Sequence, residues 1–262
     1  MEDLNANGVR VTLLATAGVV VESEGTRVMV DGLFKKDGHP FSVVPDELRG
    51  DLMAGGTPFG PVDYLMFTHL HPDHFDGQET IAYLESNPVK NVFLPAGAAS
   101  EGCKRLMKWM DAHAVGHTRL NLPAGGHAGF SPGEGVEVTA FNTMHMGKRY
   151  SHVDNHCLLL GMNGRTLLIT GDADYDSDAF ARALRGRRIC AALVNPLFYQ
   201  DRRGRAILDT VVRPEKTVLY HIPFAGDDAF MLRPVAKRLT ERAGDAAYEV
   251  LALTEPGQRL LL

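Results

Sequence analysis

Cysteine and tryptophan are scarce in this sequence, which has three cysteines and one tryptophan among its 262 residues. Cys103, Cys157 and Cys190 lie far apart in the chain and form no C-x-x-C pair. An odd and sparse set of this kind argues against a disulfide framework and fits a reducing compartment. We therefore expect the three cysteines to be small, buried, hydrophobic side chains.

The sequence also lacks long apolar runs and an excess of basic residues. No run approaches the roughly 20 apolar residues that a membrane-spanning helix needs, and the first residues, MEDLNANG, are acidic and polar. We expect no membrane span, no secretory signal and a cytoplasmic location. The formal net charge of -5 argues against a general nucleic-acid binder, whose surface is usually basic. No feature of the sequence indicates an oligomeric state.

Short β-branched and apolar runs alternate with amphipathic segments along the whole chain, and no segment has the composition of a linker. We predict a single α/β domain over residues 1–262. The predicted strands cover residues 10–15, 18–23, 27–31, 63–67, 91–95, 136–142, 156–162, 165–172, 189–195 and 217–221. The predicted helices cover residues 45–53, 78–87, 99–114, 177–186 and 227–244, with another between 195 and 217.

Two turns and one proline refine this prediction. Asn163-Gly164 separates two apolar runs and is typical of a β-hairpin. Pro234 lies inside the helical segment 227–244, so we expect a break or kink there. The apolar segments 248–254 and 258–262 predict a second hairpin at the end of the chain.

The stretch THLHPDH contains four side chains that can bind a metal, namely His69, His71, Asp73 and His74. They fall within six positions of a chain that has only 11 histidines, which argues against an ordinary polar surface loop. The motif follows the predicted strand 63–67 directly. We therefore predict a metal site in the turn at the end of that strand.

Two adjacent metal ions need more ligands than this motif contains, and they usually share a bridging carboxylate. Three further residues of ligand type end apolar runs, namely His145, Asp172 and His221. Strand ends that meet at one edge of a sheet would assemble such a site from loops. For His145 the alternatives are two nearby histidines. His152 lies in the intervening loop, and His156 begins an apolar run, where a structural role is expected.

THLHPDH, His145, the segment GDADYD, and LYHIPF together resemble the metallo-β-lactamase-fold hydrolase superfamily, in motif order and from about residue 10 to residue 225. The resemblance implies a four-layered αββα sandwich with a dinuclear metal site at one edge. It assigns a first metal to His69, His71 and His145, a second to Asp73, His74 and His221, and a bridging position to Asp172. It also implies that Asp31 orients the opening motif.

The resemblance implies a metal-dependent hydrolase in which two divalent ions, zinc or else manganese or iron, share a hydroxide nucleophile. Asp73 or Asp172 is the expected catalytic proton acceptor or relay. The expected substrate is a small ester, lactone, thioester or phosphoester. Hydrolysis of β-lactam antibiotics is less expected, because Asp172 stands where some true β-lactamases have cysteine. The alternatives are an iron-dependent redox enzyme, a nucleotide phosphodiesterase, and a binding or sensor protein without catalytic activity.

Residues near these ligands supply further candidates for substrate contact. Tyr150, Tyr175 and Tyr199 are possible donors to a developing oxyanion, and Lys148 and Arg149 can meet an anionic group. His39 belongs to the Gly- and Pro-rich residues 38–62, a predicted long loop that covers part of a site.

Overall fold

A computed structural model describes residues 8–56, 59–96 and 100–262 of the chain. The acidic N-terminal stretch therefore lies almost wholly outside the described residues, as does Ala99, the first residue of one predicted helix. Within the described part, the strands form two seven-stranded sheets. Helices cover the outer face of each sheet.

The first sheet is formed mainly by the N-terminal half of the chain. Its strands are β1 (Arg10–Leu13), β2 (Val19–Ser23), β3 (Thr26–Val30), β4 (Tyr64–Met66), β5 (Asn91–Pro95), β6 (His117–Leu120) and β14 (Arg259–Leu261). They lie in the order β14-β1-β2-β3-β4-β5-β6. The pairs from β3 to β6 are parallel, and those from β14 to β3 are antiparallel.

The second sheet is formed by the C-terminal half. Its strands are β7 (His127–Gly133), β8 (Val136–Asn142), β9 (His156–Met162), β10 (Arg165–Ile169), β11 (Ala191–Val194), β12 (Lys216–Leu219) and β13 (Glu249–Ala252). They lie in the order β13-β12-β11-β10-β9-β8-β7. The pairs from β10 to β13 are parallel, and those from β7 to β10 are antiparallel.

The helices divide between the two outer faces. The first sheet carries α1 (Asp46–Met53), α2 (Gly77–Ser86) and α3 (Glu101–Ala112). The second sheet carries α4 (Ser177–Leu184), α5 (Pro196–Gln200), α6 (Arg202–Ile207) and α7 (Leu232–Glu241). A π-helical segment, Leu208–Val212, extends α6. None of the helices within the described residues is long and apolar enough to cross a bilayer.

The alternation of side chains on buried strands explains why both faces of each sheet are apolar. On β4, Tyr64 and Met66 pack between the sheets, whereas Leu65 packs under the helices. On β10, Leu167 and Ile169 enter the layer between the sheets, while the intervening Leu168 meets the helices. A strand covered on both faces has a continuous apolar sequence. The result is the expected four-layered αββα sandwich.

Most predicted elements are confirmed, including the hairpin at Asn163-Gly164. That turn joins β9 and β10 in antiparallel register, and both of its residues have positive φ, at 48° and 70°. This conformation is typical of the tight two-residue turn that joins twisted strands. The three cysteines are buried and free, as expected.

The predicted terminal hairpin is wrong. The two strands concerned lie in different sheets: β13 pairs with β12, and β14 crosses to pair with β1. Both strands are apolar and short, so their local sequence is compatible with pairing to each other. Their actual partners are set by the open edges that the two sheets offer, which is a tertiary effect.

The predicted helix 227–244 is shorter than expected, because it begins only at Leu232. The carboxylate of Asp228 accepts hydrogen bonds from the backbone N–H groups of Leu232 and Arg233, at 2.8 and 2.9 Å, and so holds the first turn. Pro234 stands in this first turn and causes no interruption, since the N–H groups there have no helical partner to lose.

Candidate metal centre

The seven ligand-type residues predicted from the sequence come together where strands from both sheets end. The motif carrying His69 to His74 follows β4 of the first sheet. The remaining three follow strands of the second sheet: His145 comes after β8, Asp172 after β10 and His221 after β12. All seven lie in the three groups of candidate metal-binding side chains found among the described residues.

The opening motif is held as a compact turn by its own backbone. The N–H groups of His74 and Phe75 both donate to the carbonyl oxygen of His71, at 3.0 and 2.9 Å. Asp76 then caps α2, because its Oδ1 accepts from the N–H of Glu79 at 2.7 Å. This cap ends the turn and starts the helix immediately, so the motif side chains stay at the edge of the sheet.

Asp31, at the end of β3, fixes the orientation of this turn. Its Oδ1 accepts from the backbone N–H of Thr68 at 2.8 Å, and its Oδ2 accepts from the Thr68 hydroxyl at 2.6 Å and from His74 Nδ1 at 2.8 Å. Asp31 is fully buried and has a φ of 51°. Backbone strain at such a position persists only where the surrounding contacts determine it. Sequence resemblance assigned this orienting role, and the contacts agree with it.

His69, His71 and His145 form the first group of donor atoms. His69 Nε2 lies 3.1 Å from His71 Nδ1, and the donor atoms of all three residues lie within 4.8 Å of one another. His145 Nδ1 donates to the carbonyl oxygen of Met146 at 2.7 Å, which leaves its Nε2 as the nitrogen available to the centre. That Nε2 is buried and makes no hydrogen bond within the described part of the protein.

Asp73, His74 and His221 form the second group. His74 Nε2 lies 2.9 Å from His221 Nε2, and Asp73 Oδ2 lies 3.7 and 3.5 Å from these two nitrogens. His221 has a φ of 60°, and the Phe41 ring contacts its imidazole edge to face, with ring centroids 5.2 Å apart.

Asp172 lies between the two groups. Its Oδ2 is 3.3 Å from His145 Nε2 and 3.8 Å from His74 Nε2, while its Oδ1 is 3.7 Å from His221 Nε2. It is therefore the carboxylate that approaches nitrogens of both groups. Two amides hold it in place: Asn195 Nδ2 donates to Asp172 Oδ1 at 2.8 Å, and Asn155 Oδ1 accepts from the Asp172 N–H at 2.9 Å.

The donor set fits divalent metal ions. Donors bound at 2.0–2.1 Å in a tetrahedral site lie about 3.4 Å apart. The donor distances of His69 to His71, of Asp73, His74 and His221 to one another, and of Asp172 to three of the histidines run from 2.9 to 3.8 Å. His69 Nδ1 donates to Thr68 Oγ1, whose own proton goes to Asp31. His69, His74 and His145 thus each use Nδ1–H in an outward hydrogen bond, which directs Nε2 at the centre, as in metal-binding histidines.

Burial and mutual charge set the protonation of the centre. Burial alone would raise the pKa of Asp73 and Asp172, but neighbouring histidines outweigh it. They lower the pKa of Asp73 to about 2 and hold the pKa of Asp172 well below its usual range. Burial and neighbouring histidines lower the pKa of His69, and lower that of His71 to about 4. For His74 and His221 burial acts in the same direction, but the neighbouring carboxylates outweigh it and raise the pKa of both. Charged carboxylates and neutral imidazoles are the forms that bind metal, so binding a metal at His74 and His221 would release protons.

A cavity of about 870 Å³ opens beside the centre. His145, Asp172 and His221 form part of its wall, so a molecule in the cavity reaches residues of both groups. Its remaining wall includes Tyr150 and Tyr175. Two of the three predicted oxyanion donors therefore line the cavity. Tyr199 does not, because it is buried under Arg205 with the guanidinium carbon 4.3 Å from its ring centroid.

The alternatives for the third histidine of the first group lie elsewhere. His156 is fully buried, and His152 is exposed on the loop before β9; neither belongs to a candidate metal group within the described residues. His39 does not line the cavity. Its Nε2 contacts the Lys35 carbonyl oxygen at 2.8 Å. The predicted covering loop reaches the cavity through Phe41 instead.

We predict that His145→Ala lowers the metal content per chain, whereas His152→Ala leaves it unchanged. The Nε2 of His145 lies within 4.8 Å of the His69 and His71 donor atoms, and the His152 side chain is exposed to solvent. Elemental analysis of the dialysed variants by mass spectrometry checks this. Equal metal content in the two variants would remove His145 from the ligand set.

Asn195 is a positioning residue that sequence analysis missed, although it ends the apolar run of β11 much as Asp172 ends that of β10. Its Oδ1 accepts from the N–H of Leu197 at 2.9 Å and caps α5. This cap fixes the amide orientation, so Nδ2 must point toward Asp172. The Asn195 side chain therefore both caps α5 and holds the Asp172 carboxylate.

We predict that Asn195→Ser lowers kcat about 10- to 100-fold, the usual effect of losing a partner of a metal ligand. Serine also caps helices well, so the melting temperature of the Asn195→Ser variant should stay within about 2 °C of the wild type. Asn195→Ala, which loses both contacts, should show the same activity loss and also about 1 kcal/mol of lost stability. Steady-state kinetics and thermal melting of both variants separate positioning from capping, and wild-type kcat in Asn195→Ser contradicts the assignment.

The family comparison agrees with the fold. Residues 15–227 match the model of the beta-lactamase superfamily domain, and the chain belongs to this superfamily. The match covers the opening motif and all seven ligand-type residues. No curated protein matches the chain in sequence.

Solved structures with the same fold include three of interest. Igni18, a metallo hydrolase from Ignicoccus hospitalis, is 14% identical with a TM-score of 0.64, over 97% of this chain and 98% of that one. CmlA, a diiron β-hydroxylase from Streptomyces venezuelae, is 17% identical with a TM-score of 0.62, over 97% and 54%. Zn²⁺-bound PqqB from Methylobacterium extorquens is 16% identical with a TM-score of 0.59, over 94% and 87%. At these identities the similarity demonstrates a shared fold.

Proposed function

We propose that this protein is a hydrolase that uses two divalent metal ions, one in each group of donor atoms, with Asp172 bridging them. One observation carries the proposal. Two groups of histidine and aspartate donors, at separations suited to metal coordination, lie on either side of one carboxylate at the wall of an 870 Å³ cavity. A site with open positions beside a cavity is typical of catalytic rather than structural metal centres.

Bound divalent ions acidify a water molecule and polarise a carbonyl or phosphoryl oxygen. The chain's own residues do the rest. Asp172 reaches the cavity and is proposed, with Asp73, to take up the proton released when water adds to the substrate. Tyr150 lies over the first group, with its ring centroid 5.1 Å from His71 and 5.0 Å from His145, and its hydroxyl is a proposed donor to the substrate oxygen.

The proposed reaction is hydrolysis of a small ester, lactone, thioester or phosphoester. The cavity is within the usual size range of small-molecule sites, about 300–1,000 Å³. Zinc is the proposed metal, because imidazole and carboxylate ligands suit it; the same donors accept manganese or iron. Igni18 is described as a metallo hydrolase and PqqB as zinc-bound. These descriptions support the proposed hydrolysis and the proposed metal, respectively. Three buried free cysteines support a cytoplasmic location.

The test is elemental analysis of the purified protein, followed by hydrolysis assays on p-nitrophenyl acetate, a γ-lactone, a thioester and bis-p-nitrophenyl phosphate. We expect about two ions per chain, a colourless zinc form, and turnover of at least one substrate that a chelator abolishes and zinc restores. A coloured protein with two irons and no hydrolysis would contradict the proposal and favour oxidative chemistry of the kind named for CmlA.

A further inference from the structure

The cavity beside the centre has an apolar wall that the ligands do not explain. Five large hydrophobic residues are exposed among those that the structure describes. Three of them line this cavity: Tyr150 is 38% exposed, Leu197 47% and Phe230 56%. Single exposed hydrophobic residues are ordinary, but their concentration at one opening marks an interaction site.

These side chains come from separate segments, and aromatic contacts hold part of the wall together. Phe230 precedes α7 and packs on Phe41, with ring centroids 5.8 Å apart. Phe41 in turn contacts His221 of the second donor group. The apolar surface is therefore continuous from the mouth of the cavity to the candidate metal centre. A substrate whose reacting bond lies at the centre extends its adjoining group along this surface.

Three cationic side chains line the cavity, and they differ in whether an acidic residue is paired with them. Arg203 lies over the Tyr175 ring, with its guanidinium carbon 4.1 Å from the centroid, and pairs with Asp201 at 2.9 Å. Lys148 and Arg149 also line the cavity, and the guanidinium carbon of Arg149 lies 5.6 Å from the Tyr150 ring centroid. Within the described residues neither cation has a carboxylate within the 4.0 Å of an ion pair, so their charges are available to a ligand anion in the cavity.

We propose that the substrate is an amphiphilic anion: an aryl or medium-chain acyl group that lies on the Leu197 and Phe230 side of the cavity, joined to an anionic group that Lys148 and Arg149 meet. Arg203 is already paired, so selection for negative charge falls on Lys148 and Arg149. A carboxylate, sulfonate or phosphate on the substrate shares the required chemistry. The inference about which bond is attacked depends on the proposed hydrolase function, whereas the binding preference does not.

The first experiment measures binding alone, by calorimetry on the zinc-loaded protein with naphthalene-2-sulfonate. We expect it to bind at least tenfold more tightly than methanesulfonate, which lacks the apolar group, and about threefold more tightly than 2-naphthylmethanol, which lacks the charge. Leu197→Ser should weaken naphthalene-2-sulfonate binding about fivefold. The matched control is Leu261→Ser, because Leu261 is similarly exposed at 52% but lies on β14 away from the cavity.

The charge is tested by the pair of changes Lys148→Gln and Arg149→Gln, made together. This variant should lose the preference for the sulfonate over the neutral alcohol. The control is Arg105→Gln with Lys108→Gln, two exposed cations of α3 on the first sheet. Equal binding of all three probes, or equal effects of the cavity and control variants, would overturn the proposal.

The second experiment measures kcat/KM for p-nitrophenyl esters from acetate to decanoate. Full burial of one methylene group increases affinity about fourfold. Because the cavity is partly open to solvent, we expect kcat/KM to rise about twofold for each added methylene. Hydrolysis that does not vary with chain length overturns the substrate class and leaves the hydrolase proposal intact. Absence of hydrolysis with these esters and with the lactone, thioester and phosphodiester, together with selective binding of naphthalene-2-sulfonate, overturns the hydrolase proposal and supports the binding preference.

Discussion

Replacing Asp172 by alanine is expected to remove at least one metal ion from each chain and to lower hydrolysis by at least about a thousandfold. Partners of a metal ligand cost about 10- to 100-fold when lost, and Asp172 is a proposed ligand of both ions. Its oxygens lie 3.3 Å from His145 Nε2 and 3.7 Å from His221 Nε2. Without this carboxylate, each group of donors loses its negatively charged neighbour on that side.

The measurements are metal content and kcat, with Asp178→Ala as the control. Asp178 is an exposed aspartate in the first turn of α4, six positions along the chain, so its loss should change neither quantity. Asp172→Asn keeps the side-chain volume but removes the charge, and it should be nearly as inactive as Asp172→Ala. Full activity in Asp172→Ala would refute the bridging assignment.

Gly77→Ala is expected to lower the stability of the fold by about 1–3 kcal/mol. Gly77 is the first residue of α2, and a Cβ there would lie 2.2 Å from the backbone carbonyl oxygen of Gly102 in α3. A backbone atom in a helix cannot move aside cheaply. The two helices must separate, and the turn that carries the opening histidines shifts with α2.

Gly102→Ala is the matched control, because it adds the same methyl group on the other side of the same helix contact. Its Cβ would meet nothing closer than 3.7 Å. Alanine also favours a helix over glycine, by about 0.5–1 kcal/mol, so this variant should be as stable as the wild type or more so. Urea denaturation of both variants tests the pair. Equal midpoints would show that the close approach at Gly77 has no energetic cost.

The sequence predicted which ligand-type residues lie together better than it predicted the ends of the fold, for a physical reason. Ligand-type residues such as Asp172 and His221 follow apolar strands directly, and parallel strand ends meet at one edge of a sheet. Position in the sequence therefore implied proximity in space. The β13 and β14 strands carry no such signal. Each is a short apolar run, and only the tertiary structure determines which sheet edge it joins.

Two strands and one residue escaped prediction for different reasons. β6 (HTRL) and β7 (HAGFSPG) are polar or rich in Gly and Pro, so their β conformation comes from pairing with β5 and β8 rather than from local preference. Asn195 had the right signal, since it ends the apolar strand β11. It was overlooked because an amide at a strand end is far less specific for metal chemistry than a histidine or carboxylate.

The origin of the donor residues has a consequence for the lifetime of the folded protein. Four of them follow a strand of the first sheet, and three follow strands of the second, so ions in the proposed site join the two halves of the sandwich. Unfolding would then require release of the metal. At a free metal concentration 100 times the Kd, each ion adds about 2.7 kcal/mol to stability. Metal supply in the cell would thereby regulate the amount of protein that survives as well as its activity.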